Sequence, residues 1–194
     1  MLQEINRCSW CLSSESYKNY HDNEWGKPVL DDTIFFEFLV LETFQAGLSW
    51  ITILNKRENF RKAFDNFDYN KIANYNDDKI LDLLQDAGII RNKLKVYSAV
   101  TNAQNFIKVQ EEFGSFSKFI WNFVEGKPIV NHPKKLSEVQ AITPLSDKIS
   151  KDLKKRGFKF VGSTVVYAFL QATGIVNDHV VDCFLNKTGS GNID

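Results

Sequence analysis

Apolar residues recur at helical spacing along most of this chain, and this periodicity restricts the fold more than any other feature. The longest such segment, residues 31–64, opens with an Asp/Thr capping signal and keeps apolar residues three and four positions apart. No alternation typical of strands persists, so the pattern predicts an all-α fold. The predicted helices are 31–64, 77–88, 91–114 and 115–126, followed by a helix, a tight turn and a second helix over 146–174.

Length and composition predict one compact domain, or one body with two lobes. The chain has 194 residues and is 43% hydrophobic and 13% aromatic, which is enough for a sizeable core. Residues 126–146 contain three of the four prolines and are expected to form an extended connection. We expect the last residues, 188–194, to be a disordered tail.

The sequence carries no sign of a membrane or secretory protein. No apolar run approaches the roughly 20 residues that cross a bilayer, and the start "MLQEINRCSW" lacks the apolar run of a signal peptide. We therefore expect a soluble cytoplasmic protein whose three cysteines are reduced.

The total charge is neutral, with 24 basic and 24 acidic residues, so the overall basic excess typical of nucleic-acid binding is absent. The basic residues are clustered, however. Residues 148–159 hold six basic residues and one acid, and "RNKLK" at 91–95 forms a second cluster. These clusters predict a basic face, although each is also consistent with the solvated face of a helix.

The turn within 146–174 is the most informative backbone feature. "RGFKFVGST" places Gly157 and Gly162 between two predicted helices, with basic residues before and within the turn. Glycine permits tight turns and close backbone approach, and the free N–H groups at the start of the second helix suit a phosphate. We interpret the turn as a phosphate clamp; the alternative is an ordinary corner between helices.

The cysteines and all but one of the histidines lie at the two ends of the chain. Near the C-terminus, His179 and Cys183 are four residues apart, a spacing that places both on one face of a helix. Zinc prefers four Cys or His ligands in a tetrahedron. These two residues, His21, and either Cys8 or Cys11 supply such a set, which would join the two ends. The alternatives are buried thiols with structural imidazoles, or a redox pair in "CSWC".

Glu42 is an acid within an apolar stripe. At 100° per residue it shares a helix face with Phe38 and Leu39, whereas Glu37 points to the opposite side. A buried carboxylate needs a hydrogen-bond donor, which is either another protein group or a ligand. An acid among aromatic rings suits a flat, cationic, hydrogen-bonding molecule. The aromatic residues near Glu42 in the sequence are Trp10, Tyr17, Tyr20, Trp25 and Trp50.

Six motifs follow one another in a recognisable order. They are "YHDNEWG" (20–26), "QAGLSWITIL" (45–54), "KRENF" (56–60), "DAGIIRNKLK" (86–95), "LKKRGFKFVGSTVVYAF" (153–169) and "GIVNDHVVDC" (174–183). Together they closely resemble the 3-methyladenine DNA glycosylase I family, within the helix-hairpin-helix DNA glycosylases, over about residues 8–183.

The resemblance implies an all-α, two-lobed fold with one structural zinc that joins the N- and C-terminal segments. One lobe would comprise about 1–45 plus 165–187, and the other about 46–164. The zinc ligands would be Cys8, His21, His179 and Cys183, which leaves Cys11 free or an occasional substitute for Cys8.

The resemblance also implies a base pocket and a DNA-binding hairpin. Glu42 would contact the excised base, with Tyr20 and Trp50 as aromatic walls and with Tyr17 and Trp10 as their neighbours. The hairpin residues expected to contact the DNA backbone are Gly157, Lys159, Gly162 and Ser163.

The implied reaction is hydrolysis of the N-glycosidic bond of 3-methyladenine in alkylated double-stranded DNA, after base flipping. It releases free 3-methyladenine and leaves an abasic site. Asn177 stands at or near the position where many relatives hold a catalytic Asp, and the role of the adjacent Asp178 is open. Ser163 and Thr164 occupy the place where relatives that cut the strand use a Lys, so no lyase activity is expected. We expect a monomer.

Two other readings stay open on the sequence alone. A non-catalytic, zinc-stapled DNA-binding protein would keep the hairpin and the metal but would not need Glu42. Glycosylase activity on another lesion, such as 3-methylguanine, would keep every predicted site residue.

Overall fold

The computed structural model describes residues 5–186, and over that range the chain is mainly α-helical, as the periodicity predicts. Short 3-10 turns at Ser9–Cys11, Asp65–Phe67 and Leu136–Glu138 connect some of the helices. The α-helices are α1 Glu15–Asn23, α2 Asp32–Gln45, α3 Trp50–Leu54, α4 Arg57–Ala63, α5 Tyr69–Ile72, α6 Asp77–Gln85, α7 Lys93–Phe113, α8 Phe116–Asn122, α9 Pro144–Lys155 and α10 Ser163–Ala172.

Two short strands correct the expectation of a purely helical chain. Strand β1, Ile129–Val130, pairs in parallel with β2, Val176–Asn177. Each strand has two residues, which is too short for an alternating pattern to be visible in the sequence. The pairing ties the Pro-rich connection to the segment that follows α10.

Helix α2 is the centre of the molecule rather than an amphipathic surface helix. Every residue from Phe38 to Phe44 is buried, so the apolar stripe predicted from its sequence extends around the helix. The Asp31 side chain caps its start by accepting hydrogen bonds from the amides of Thr33 and Ile34 at 2.7 and 3.1 Å. Glu42 therefore lies in a stretch of helix that is buried on all sides.

The prediction of a single helix over 31–64 is wrong, because this range contains the three helices α2, α3 and α4. Helix α2 ends at Gln45, and Gly47 adopts a positive φ of 85° in the loop that follows. That conformation favours glycine and breaks the helix, although the apolar pattern continues into α3 and α4. The break places Glu42 and Trp50 on separate elements.

The C-terminal segment also departs from its prediction. After α10 the chain passes through β2 and continues without an α-helix to residue 186, so His179 and Cys183 are not on one helix face. The expected tail, 188–194, lies outside the described residues, and the division into two lobes stays a prediction. No helix among residues 5–186 is long and apolar enough to cross a membrane.

Candidate active site and candidate metal centre

A cavity of about 270 Å³ opens between the N-terminal segment, α2, α3 and α10. All five predicted base-binding residues line it, although they come from four different elements. The lining residues are Trp10, Tyr17, Tyr20, Trp25, Glu42, Gln45, Trp50, Leu136, Val139, Ala168 and Gln171. The fold thus brings the whole predicted pocket together around one space.

Aromatic rings form most of the cavity wall. The ring centroids of Tyr20 and Trp50 are 5.4 Å apart, and Trp10 packs edge-on against Tyr17 at 5.2 Å and against Trp25 at 5.1 Å. The indole Nε1 of Trp50 is buried and has no hydrogen-bond partner among the described residues. An apolar wall with an unused N–H donor suits an aromatic ligand that carries its own acceptors.

Glu42 is the buried acid of this cavity. The residue is 4% exposed, and its Oε2 has no hydrogen-bond partner among residues 5–186. Burial raises the pKa of Glu42 to about 8, because the carboxylate has lost its hydration without gaining a donor. Of the two alternatives left open by the sequence, a protein donor for Oε2 is not found among residues 5–186.

Several cavity residues were not predicted from the sequence. Leu136 and Val139 belong to the Pro-rich connection, which reads as a linker and gives no sign of forming a wall. Gln171 could have been found by the same signal as Glu42, since it is a polar residue in the apolar run "VVYAFLQA" of α10.

Three of the four predicted zinc ligands lie together. The ligand atoms of Cys8, His21 and Cys183 are all within 4.8 Å of one another, and all three residues are buried. The Sγ of Cys183 is 3.5 Å from Nε2 of His21. A hydrogen bond between the thiols lowers the pKa of Cys183 and raises that of Cys8, so Cys183 is the thiol that ionises more readily.

His179, the fourth predicted ligand, lies beside this group of three. Its ring centroid is 4.9 Å from that of His21. Its Nε2 is buried without a hydrogen-bond partner, whereas its Nδ1 lies 2.8 Å from Oδ1 of Asn177. Burial lowers the pKa of His179 to about 4, so the ring is neutral at pH 7, as a metal ligand must be.

Neighbouring side chains orient both imidazoles. Oδ1 of Asp22 is 2.8 Å from Nδ1 of His21, and Arg7 holds that carboxylate at 2.7 Å. Polar partners at both Nδ1 atoms direct both Nε2 atoms toward the cysteines, where Nε2 of His21 also accepts a long hydrogen bond of 3.4 Å from the Cys8 amide. Cys11 is outside the group, and its thiol donates to the Cys8 carbonyl at 3.1 Å.

The predicted hairpin joins α9 to α10 through a tight turn with two positive φ angles, at Gly157 (94°) and Phe160 (55°). Asn102 from α7 holds this turn, since its side chain accepts from the Lys159 amide at 2.7 Å and donates to the Lys159 carbonyl at 3.1 Å. At Gly162, an added Cβ would meet no atom within 4 Å. The space there is open to an approaching backbone.

Not every basic residue of the hairpin region is available to a partner. Arg156 forms ion pairs with Glu112 and Asp152 and packs on two phenylalanine rings. Lys159 is exposed and forms no ion pair with the described residues. Lys159 therefore supplies a free positive charge within the turn.

Comparisons with known proteins agree with this geometry. The family model described as "Methyladenine glycosylase" matches residues 10–186. The chain is 48% identical over 179 residues to "DNA-3-methyladenine glycosylase 1" of Escherichia coli (strain K12), covering 92% of this chain and 96% of that protein.

Solved structures give the same result. A crystal structure of 3-methyladenine DNA glycosylase I matches with a TM-score of 0.90 and 46% identity, covering 92% of this chain and 98% of that one. A structure of the Staphylococcus aureus enzyme, on its recognition of 3-methyladenine, matches with a TM-score of 0.89 and 38% identity over 93% of this chain and 96% of that one. The chain belongs to the methyladenine glycosylase family.

Proposed function

We propose that this chain is a DNA-3-methyladenine glycosylase, which hydrolyses the N-glycosidic bond of 3-methyladenine in alkylated double-stranded DNA. The observation that carries the proposal is Glu42, a buried acid with an unpartnered oxygen in an aromatic cavity. The relatives named above carry the same activity in their names.

The substrate base supplies much of the chemical driving force. Methylation at N3 makes the adenine cationic, so the bond to C1′ is already weakened. When that bond breaks, its electron pair neutralises the base, and the sugar passes through an oxocarbenium-like state. Water adds to C1′ and loses a proton, which leaves an abasic site and free 3-methyladenine.

The pocket residues have distinct roles in this scheme. A base inside a duplex must first be flipped out, which costs a few kcal/mol. Tyr20 and Trp50 stack on the flipped base, and a cationic ring gains about 0.5–2 kcal/mol from such contacts. Glu42 accepts hydrogen bonds from the base. A cation in the pocket favours ionised Glu42, which selects the charged lesion over neutral adenine.

The hairpin would hold the DNA backbone while the base is flipped. Gly157, Lys159, Gly162 and Ser163 are the proposed contacts, with backbone N–H groups at the start of α10 facing a phosphate. Open space at Gly162 and the exposed ammonium group of Lys159 support this assignment. We propose a helix-hairpin-helix role for α9, the turn and α10 on this basis.

We further propose one structural zinc, held by Cys8, His21, His179 and Cys183. The three clustered ligand atoms and the unpartnered Nε2 of His179 fit such a metal. All four positions would be filled by protein, so the metal would join the chain ends and take no part in hydrolysis. We also propose that the chain has no lyase activity, that it is a monomer and that it is located in the cytoplasm.

Base release tests the function directly. The purified chain is incubated with methylated DNA, and the free bases are identified by chromatography. Release of 3-methyladenine without strand breaks is expected. Glu42→Gln should lower the release rate at least tenfold while DNA binding is kept, and Glu37→Gln on the same helix is the matched control. No release from folded wild-type protein would leave only a DNA-binding role.

A further inference from the structure

Gln171 stands between the base cavity and a second, more polar cavity. It is the penultimate residue of α10 and lines the base cavity with Glu42 and Trp50. Asp178 and Tyr167 line a neighbouring cavity of about 320 Å³, which shares Val139 with the base cavity. Gln171 Nε2 is 2.7 Å from Asp178 Oδ2. The side chain thus connects the base pocket to a buried carboxylate.

Asp178 fixes which way the Gln171 amide points. This carboxylate is 3% exposed and accepts from three groups: Asn131 Nδ2 at 2.6 Å, the Tyr167 hydroxyl at 2.7 Å and Gln171 Nε2. Burial and the hydrogen bond to Asp178 raise the pKa of Tyr167, so its hydroxyl stays a donor. A carboxylate in these surroundings accepts from the NH2 group of Gln171 and rejects its carbonyl oxygen.

The Gln171 carbonyl oxygen is then free for a ligand. Within residues 5–186, Oε1 accepts no hydrogen bond, and Gln171 is only partly buried. Because Nε2 is held by Asp178 on one side, the opposite end of the amide is available to the base cavity that Gln171 lines.

We propose that Gln171 is a specificity-determining residue, whose Oε1 accepts an N–H of the flipped base, and that Asp178 is the positioning residue that orients it. This inference rests on the proposed function and extends it. Adenine presents an amino group on its edge, where guanine and hypoxanthine present an oxygen. A fixed acceptor at Gln171, added to Glu42, would favour the amino-bearing base and repel the oxo-bearing one.

The test uses two free bases that differ at this one group, 3-methyladenine and 3-methylhypoxanthine. Tryptophans line the cavity, so intrinsic fluorescence reports binding. Gln171→Leu should raise the Kd for 3-methyladenine roughly tenfold, as expected for one lost hydrogen bond. The ratio of the Kd for 3-methylhypoxanthine to the Kd for 3-methyladenine should therefore fall. Asp178→Asn should give part of the same change, because an amide partner no longer fixes the orientation of Gln171.

The double variant and a control make the result decisive. Gln171→Leu with Asp178→Asn should bind no more weakly than Gln171→Leu alone, since Asp178 acts through Gln171. Gln104→Leu on α7, which lines neither cavity, should bind like wild type. Binding is compared at a temperature at which circular dichroism shows every variant fully folded, because a reduced folded fraction would itself raise the apparent Kd. An unchanged Kd and preference in Gln171→Leu would overturn the inference. Base release from methylated DNA by the wild type, measured in parallel, tests the proposed function separately.

Discussion

The burial of Glu42 in the base pocket lowers the stability of the folded chain when the pH is above the ordinary pKa of the carboxyl group. Its folded-state pKa is raised from the ordinary value of 4.5 to about 8. Between these pH values the folded chain keeps a proton that the unfolded chain has released. The stabilising contribution of that proton is therefore complete below pH 4.5 and is lost as the pH rises through 8.

We therefore predict that Glu42→Gln stabilises the protein increasingly as the pH rises. At pH 8 the gain in the free energy of unfolding over wild type should exceed the gain at pH 4.5 by a few kcal/mol, since each pKa unit is worth about 1.4 kcal/mol. Urea unfolding at several pH values measures this. Glu37→Gln should instead destabilise, because Glu37 pairs with Arg61 at 2.7 Å. A pH-independent gain in Glu42→Gln would contradict the raised pKa.

At the scale of elements, the hairpin is preorganised by residues outside it. Asn102 bonds both backbone groups of Lys159, and Ser150 Oγ donates to the Val161 carbonyl at 2.6 Å. Neither contact was apparent from the sequence, because both depend on how α7 and α9 pack against the turn. The turn itself was apparent, since its glycines and the basic residues around them are local signals.

Lys159→Ala should weaken DNA binding without altering the fold. Lys159 is exposed and forms no ion pair within residues 5–186, so its removal loses about one phosphate contact and lowers the slope of log K against log salt by about 0.9. Titration of labelled duplex at several salt concentrations measures the slope. Lys62→Ala, an exposed lysine on α4, serves as the control. An equal change in both variants would show a general charge effect instead of a hairpin contact.

The helices also show where sequence patterns lose information. Periodicity located most of them, because each buries an apolar face. It did not locate the break after Gln45, since the apolar spacing continues through the loop and Gly47 alone marks the turn. Likewise, Val139 reads as part of a linker, and only the packed fold places it on the wall of the base cavity.

At the scale of the whole molecule, the two ends of the chain build the base pocket together. An added Cβ at Gly174 would come within 2.1 Å of the Lys27 backbone, and one at Gly26 would lie 2.7 Å from His179. The amide of Phe184 donates to the Asn6 carbonyl at 3.0 Å. Trp10 and Tyr20 from the N-terminal side therefore face Gln171 only while the two ends stay joined.

The proposed zinc should fix this junction. Cys183→Ala is expected to abolish binding of the metal, measured as zinc per chain by elemental analysis, whereas Cys11→Ser should retain one zinc, because Cys11 lies outside the ligand group. With free zinc a thousandfold above its Kd, the bound metal adds about 4 kcal/mol to stability, or roughly 10 °C in Tm for a chain of this size.

A chelator should lower the Tm of the wild type by the same amount and leave Cys183→Ala unchanged. Because the ends frame the pocket, the metal-free protein should also bind 3-methyladenine more weakly. Full zinc content in Cys183→Ala would refute the ligand assignment. Normal base binding by a zinc-free wild type would instead show that the glycine-mediated packing of the two ends is sufficient to hold the pocket.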